Sequence, residues 1–123
     1  MNKFSPTVIE KPWGKEILWA HTPSYVGKIL QVNAGESLSI QYHHHKDETM
    51  YILSGEGRIN FYTMSEDGSV DVKESISVKE GMSIHIPPLK IHNVYAETEL
   101  VILEASTNHL TDLVRIKDRY GRS

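Results

Sequence analysis

The stretch GESLSIQYHHHKDETMYILSG, from Gly35 to Gly55, joins strand-forming residues to a dense set of metal-capable side chains. Side chains on a strand alternate between its faces, so Gln41 and His43, two apart, project from the same side. Four residues separate His43 from Glu48, and a short turn through His44 to Asp47 returns that carboxylate beside the first two groups. Gly55 then closes the hairpin. The stretch offers three donor atoms, and a fourth must come from elsewhere in the chain.

Outward from this hairpin, apolar residues come in short runs separated by turn signals every eight to twelve residues, the pattern of an all-β sandwich or barrel. Strands are expected at 16–19, 27–32, 38–42, 49–53, 58–63, 70–78, 83–86 and 100–104. The breakers between them are Asn33-Ala34-Gly35, Ser54-Gly55-Glu56-Gly57, Glu66-Asp67-Gly68, Lys79-Glu80-Gly81 and Pro87-Pro88. Asp67-Gly68 suits a hairpin turn. Residues up to about Trp13 contain Pro6 and Pro12, which predicts an extended arm or edge strand. The tail from Thr111 to Ser123 has only Leu113, Val114, Ile116 and Tyr120 to bury, which predicts a short helix or a strap across the body. Antiparallel strands in a chain of 123 residues must hide their edges, and a jelly roll does so while leaving an internal cavity open at one mouth. A single domain of this kind is the expectation.

A formal net charge of -3 provides no basic stripe for nucleic acid and no polybasic anchor for a membrane. Small molecules or protein are the expected partners. With no cysteine, a disulfide framework and a thiolate zinc site are both excluded, so a metal would have to be held by nitrogen and oxygen. The first residues lack the apolar run of a signal peptide and no stretch approaches a membrane span, so a cytoplasmic location is expected.

A second histidine signal, Ile84-His85-Ile86-Pro87-Pro88-Leu89-Lys90-Ile91-His92, follows Gly81. Five residues separate Gly81 from Pro87 and four separate Pro87 from His92. In the first stretch five residues separate Gly35 from Gln41, one separates Gln41 from His43, four lead to Glu48 and six to Gly55. Together these resemble the two signature motifs of the cupin superfamily, whose members hold a divalent metal in a small jelly-roll barrel with two histidines and a glutamate from the first motif and a histidine from the second. Pairing His43 with His45 would leave Glu48 too close for the usual spacing, whereas Gln41 with His43 satisfies every interval. Leu38-Ser39-Ile40-Gln41 followed by His43-His44-His45 is similar to the corresponding run of type II mannose-6-phosphate isomerases, above all the C-terminal domain of bifunctional mannose-1-phosphate guanylyltransferase/mannose-6-phosphate isomerases. Glu10 to Glu16, around Pro12-Trp13-Gly14, looks like that family's entry motif, and Asp112 to Arg122 looks like its ending, so the resemblance covers nearly the whole chain.

The sequence departs from the family where an Arg, a small residue, Glu, His and Trp usually follow the histidine run: here stand Lys46, Asp47, Glu48, Thr49 and Met50. The usual glycine of the second motif is Leu89, and a usual asparagine is Ala96. No counterpart of the nucleotidyltransferase half is present, so guanylyl transfer is not expected.

The resemblance implies a divalent metal held by Gln41, His43, Glu48 and His92, zinc first, with manganese, iron, cobalt or nickel as alternatives. It implies an aldose-ketose isomerase acting on a sugar phosphate. The base would be Glu48, or His45 or His85 near the mouth. The phosphate anchor would be Arg115, favoured for its bidentate guanidinium, or Lys28 or Lys90. His45, Lys28 and Lys90 are the candidate substrate-binding residues, with Glu48 and Arg115 the candidate catalytic pair. His85, between Ile84 and Ile86, should face away from them toward solvent or an interface, and Trp13 should cover the core or an edge. A homodimer paired through the N-terminal arm is expected. The rival readings are another cupin metalloenzyme, such as a dioxygenase or an epimerase, and a non-catalytic sugar-binding module.

Overall fold

Alternation of inward apolar and outward polar side chains runs through most of the chain and folds it into two facing antiparallel sheets. The computed structural model describes residues 2–122. The strands are β1 (Thr7–Lys11), β2 (Gly14–His21), β3 (Val26–Val32), β4 (Ile40–Tyr42), β5 (Glu48–Ser54), β6 (Glu56–Met64), β7 (Val70–Lys79), β8 (Ser83–Ile86), β9 (His92–Ala96), β10 (Leu100–Ser106) and β11 (Val114–Lys117). One sheet has the order β1-β2-β3-β10-β5-β8 and the other β11-β4-β9-β6-β7. This is the all-β jelly roll that the sequence predicts.

The core lies between the sheets. Leu30 and Val32 of β3, Met50 and Ile52 of β5, and Leu100 and Ile102 of β10 come from the first sheet. Ile59 and Phe61 of β6, Val78 of β7, and Val94 and Ala96 of β9 come from the second. Trp13, just before β2, is buried with them. Gly55 turns β5 into β6 at φ +90°, and a Cβ there would sit 2.0 Å from the Glu99 carbonyl oxygen. Only glycine meets both conditions.

Several features differ from expectation. The stretch from Gly35 to Gly55 is not a hairpin: β4 and β5 lie in different sheets, so the connection through His44 to Asp47 crosses the barrel mouth from one sheet to the other. The strand expected from Leu38 begins at Ile40, because residues 33–39 make a turn and reach β9 through separate bonds, such as Leu38 N–H to the Val94 carbonyl at 2.9 Å. Strand β9 is absent from the sequence-based expectation, since the Pro87-Pro88 turn and the polar His92-Asn93 start obscure the alternation of His92, Val94 and Ala96, all buried. The N-terminal arm forms an edge strand paired to β2. The tail is a strap rather than a helix: its β-branched Val114 and Ile116 suit the strand β11, which pairs with β4.

Candidate metal centre

Strand register assembles one wall of the site. Arg115 of β11 lies opposite Gln41 of β4, Gln41 opposite His92 of β9, and His92 opposite Phe61 of β6. The facing wall carries Glu48, the first residue of β5, in phase with the buried Met50 and Ile52. His43 leaves the end of β4 toward it.

Both ligand imidazoles are oriented by backbone. His43 donates its Nδ1–H to the Asp112 carbonyl at 2.6 Å, and His92 donates its own to the Lys90 carbonyl at 2.8 Å. Each ring is thereby left with an Nε2 lone pair turned to Glu48: His43 Nε2 is 3.4 Å from Oε2 and His92 Nε2 is 3.7 Å from Oε1. One donor atom from each of the three residues lies within 4.8 Å of the others, and all three residues are buried. His92 Nε2 has no hydrogen-bond partner, and Glu48 Oε2 meets only the Lys46 ammonium at 2.9 Å. A buried, unpartnered imidazole nitrogen converging with a second imidazole on a carboxylate suits a cation, so the residues fit a divalent metal ion. Among the described residues no other set of histidine and carboxylate groups converges in this way. Gln41 lines the same cavity, with its Oε1 3.5 Å from the Ser39 hydroxyl.

Burial controls the protonation of these groups. His92 is pushed down to about 4, first by burial, against the opposing pull of its bond to the Lys90 carbonyl, so the ring is neutral at pH 7. Lys46 stands beside it, its Nζ 2.9 Å from Glu48 Oε2 and 3.2 Å from Glu104 Oε2. Burial works to lower the Lys46 pKa, but the charges of Glu104 and Glu48 overcome it and hold the ammonium above the usual lysine range. The Asp112 carboxyl behaves inversely: desolvation works to raise it, and backbone N–H groups of His44, His45 and Lys46 bring it well below the usual range.

The centre opens into a cavity of about 310 Å³. Its wall carries the cations Lys11, Lys28, Lys46, Arg115 and Arg122 against the carboxylates of Glu16, Glu48, Glu104 and Asp112. Lys28 pairs with Glu16 at 3.2 Å. Of the candidates read from the sequence, Gln41, His43, Glu48, Lys28 and Arg115 meet at this cavity, and His92 reaches its floor through Glu48. Lys90 stands apart, its Nζ 4.9 Å from the Phe61 ring centroid. His45 is exposed, with its ring 5.9 Å from that of His109. His85, exposed on the outer face, pairs with Asp47 at 2.6 Å.

The family model of the mannose-6-phosphate isomerase C-terminal domain matches residues 3–118. The chain belongs to this family. Among its curated relatives are the mannose-1-phosphate guanylyltransferases ManC of Salmonella typhimurium, 32% identical over 119 residues, and of Klebsiella pneumoniae, 30% identical over the same length. Each alignment covers 93% of this chain and 23% of the relative, so the chain spans about a quarter of their length. Among solved structures, the capsular polysaccharide assembling protein CapF of Staphylococcus aureus superposes with a TM-score of 0.75 at 17% identity, covering 94% of this chain and 35% of that one. A cupin superfamily protein from Desulfitobacterium hafniense gives 0.62 at 19%, covering 87% and 83%. Bacillus subtilis oxalate decarboxylase, a protein with Mn(II) centres, gives 0.70 at 21%, covering 91% and 30%. At these identities the superpositions speak for the fold alone, and that fold is the cupin jelly roll.

Within this family member, two charged groups of the centre escape the sequence reading. Glu104 falls in phase with Leu100 and Ile102 on β10, and a carboxylate at an inward position of an apolar strand is a signal that the amino-acid pattern alone carries. Lys46 carries no such signal. It lies in the loop between β4 and β5, and only the folded loop turns its side chain inward.

Proposed function

We propose that this chain is a divalent-metal-dependent aldose-ketose isomerase acting on a sugar phosphate of the mannose 6-phosphate kind. One observation carries the reading: His43 and Glu48, with His92 converging on Glu48 from behind, open into the same cavity as Gln41, Arg115 and Lys28. The family match supports the substrate class. So does charge, because five cations face four carboxylates in the wall, and a bound dication would add to the excess that favours an anionic ligand. The cavity volume of about 310 Å³ lies at the lower end of the range for small-molecule sites.

In this reading Gln41, His43, Glu48 and His92 hold the ion, zinc by preference, with manganese, iron, cobalt or nickel within the same donor chemistry. When bound, such an ion would supply Lewis-acid polarisation of a carbonyl. Arg115 grips the phosphate, with Lys28 beside it on the opposite wall. Glu48 serves the ion, and Glu104 takes the proton from C2 and returns it to C1. Lys46, between the two carboxylates, carries the O2 hydroxyl proton to O1. Trp13, Leu30 and Met50 form the apolar part of the wall and limit water. Two copies pair, in this proposal, through β1, an edge strand whose Val8 and Ile9 are exposed. A monomeric mass by light scattering at high concentration rejects that pairing.

The test of function is turnover of mannose 6-phosphate and related sugar phosphates by metal-reconstituted protein, with His43→Ala and His92→Ala as metal-free controls. No turnover across the panel rejects the isomerase. A second reading, a sugar-phosphate-binding module, is favoured by Lys46 already ion-paired with both inner carboxylates. It predicts ligand-dependent thermal stabilisation without turnover.

A further inference from the structure

The C-terminal strap contacts the first motif at both ends. At the start of the motif, Arg119 donates to the Gly35 carbonyl at 2.8 Å, and the Tyr120 hydroxyl bonds the Glu36 carboxylate while accepting the Ser37 N–H at 3.3 Å. At the histidine run, Asp112 makes four hydrogen bonds. Asp112 Oδ1 accepts the His44 N–H at 2.9 Å, and Oδ2 accepts those of His45 at 2.7 Å and Lys46 at 3.0 Å. Its main-chain carbonyl accepts the His43 Nδ1–H at 2.6 Å.

These four bonds act on the metal centre in two ways. The carboxylate gathers three successive amides that would otherwise lack acceptors and so sets the path of the loop joining His43 to Glu48. The carbonyl fixes the tautomer and rotation of His43, leaving Nε2 as the lone pair that faces Glu48. Lys46, whose own amide makes the third contact, owes the direction of its side chain to the same cradle.

We propose that Asp112 is a positioning residue of the metal centre, so that docking of the C-terminal strap and metal affinity are thermodynamically coupled. Asp112 is not one of the donors that converge on the centre and acts on it through His43 and the loop. It holds the first-motif loop in the one arrangement where His43 and Glu48 converge. By linkage, an ion bound by His43 and Glu48 must tighten the strap against the loop as much as the docked strap tightens the ion. The inference rests on the metal centre and not on the isomerase chemistry.

The test is Co(II) titration followed by d–d absorption on the full chain, comparing wild type, Asp112→Asn and Asp118→Asn. Asp112→Asn keeps the shape but sets an NH₂ group against the backbone donors. It is expected to weaken Co(II) binding by about 10- to 100-fold and to change the absorption envelope, as loss of an orienting partner does. Asp118→Asn removes a strap ion pair with Arg122 that touches no loop residue, and is expected to bind within about twofold of wild type. Unchanged affinity in Asp112→Asn overturns the proposal, as does an equal loss in Asp118→Asn, which would mean general loosening of the strap. If wild type binds neither Co(II) nor Zn(II), the centre and its positioning residue fall together, an outcome distinct from wild-type binding with an indifferent Asp112. Should Asp112→Asn fail to fold, hydrogen exchange on the wild-type protein decides. Zn(II) should slow exchange of the His44, His45 and Lys46 amides, and unaltered exchange overturns the coupling.

Discussion

The two ends of the barrel interior are built from the same strands and obey opposite physics. Inward positions along β5 read Glu48, Met50, Ile52; along β10, from the same end, Ser106, Glu104, Ile102, Leu100; along β9, His92, Val94, Ala96. Each strand is polar or ionisable at this end and apolar at the other. At the apolar end, burying each large side chain contributes roughly 1.5 to 3 kcal/mol. At the other end, Lys46, Glu48 and Glu104 are taken from water at a desolvation cost that their mutual attraction about offsets. Stability is therefore concentrated at one end of the barrel and chemistry at the other.

Four experiments would break or sharpen that contrast. The largest effect is expected from Lys46→Met, which leaves Glu48 and Glu104 facing each other without a cation and should cost about 4 kcal/mol at pH 7 in urea unfolding. Adding Glu104→Gln should restore at least half of that loss. No recovery would mean that the ion pairs stabilise the fold outright.

Next comes Ile102→Ala, at a fully buried position, expected to cost about 3.5 kcal/mol in the same assay. Co(II) affinity of the folded protein should stay within about twofold of wild type, and a parallel loss of affinity would show that the two ends are not separable.

A pH series on apo protein separates them further. The folded-state pKa of His92, about 4, lies below its ordinary 6.5, so the unfolded chain takes up the proton first as the medium is acidified. Stability should be full above about 6.5 and fall by roughly 3 kcal/mol on acidification to about 4. Asp112, also depressed, adds a further loss through the carboxylate range. Ile102→Ala should lower the whole curve without changing this slope; a changed slope would couple the two ends.

The smallest effect is expected at the rim. Leu89 occupies φ +68° with its side chain exposed, while its N–H bonds the His43 carbonyl at 2.7 Å. Leu89→Gly removes backbone strain but adds freedom to the unfolded chain, and should gain less than about 1 kcal/mol in melting experiments. A destabilised variant would mean that the leucine side chain itself supports the loop.

The legible part of the site is the part encoded as spacing. Gln41, His43 and Glu48 lie within eight residues, where strand alternation and the length of the β4–β5 connection limit where side chains go, although that connection crosses between the sheets instead of closing a hairpin. His92 is legible through the second motif although its strand is not, because the Gly81 and Pro87 intervals survive a masked hydrophobic pattern. Lys90 and His45 show the limit: proximity in sequence to a ligand does not choose the direction of a side chain. Lys90 turns to Phe61 and His45 to solvent, while Lys46, next to His45, turns inward to two carboxylates. Asp112 is legible only as part of the family ending, since its role consists of bonds to residues 66 to 69 positions away.

The Gly35 to Gly55 stretch, taken alone, determined two strands and three candidate donors close together in the chain, because local geometry sets the period of a strand and the reach of a turn; that the two strands would go to opposite sheets was not in it. Tertiary structure alone decided which neighbours those donors have. The register of β11, β4 and β9 aligned Arg115, Gln41 and His92, and the strap brought Asp112 onto the histidine loop. Pairing of β10 with β5 placed Glu104 near Glu48, within reach of a loop lysine that sequence could not orient. Charge networks of this kind depend on distances between elements far apart in the chain, and those distances exist only once the apolar end has packed.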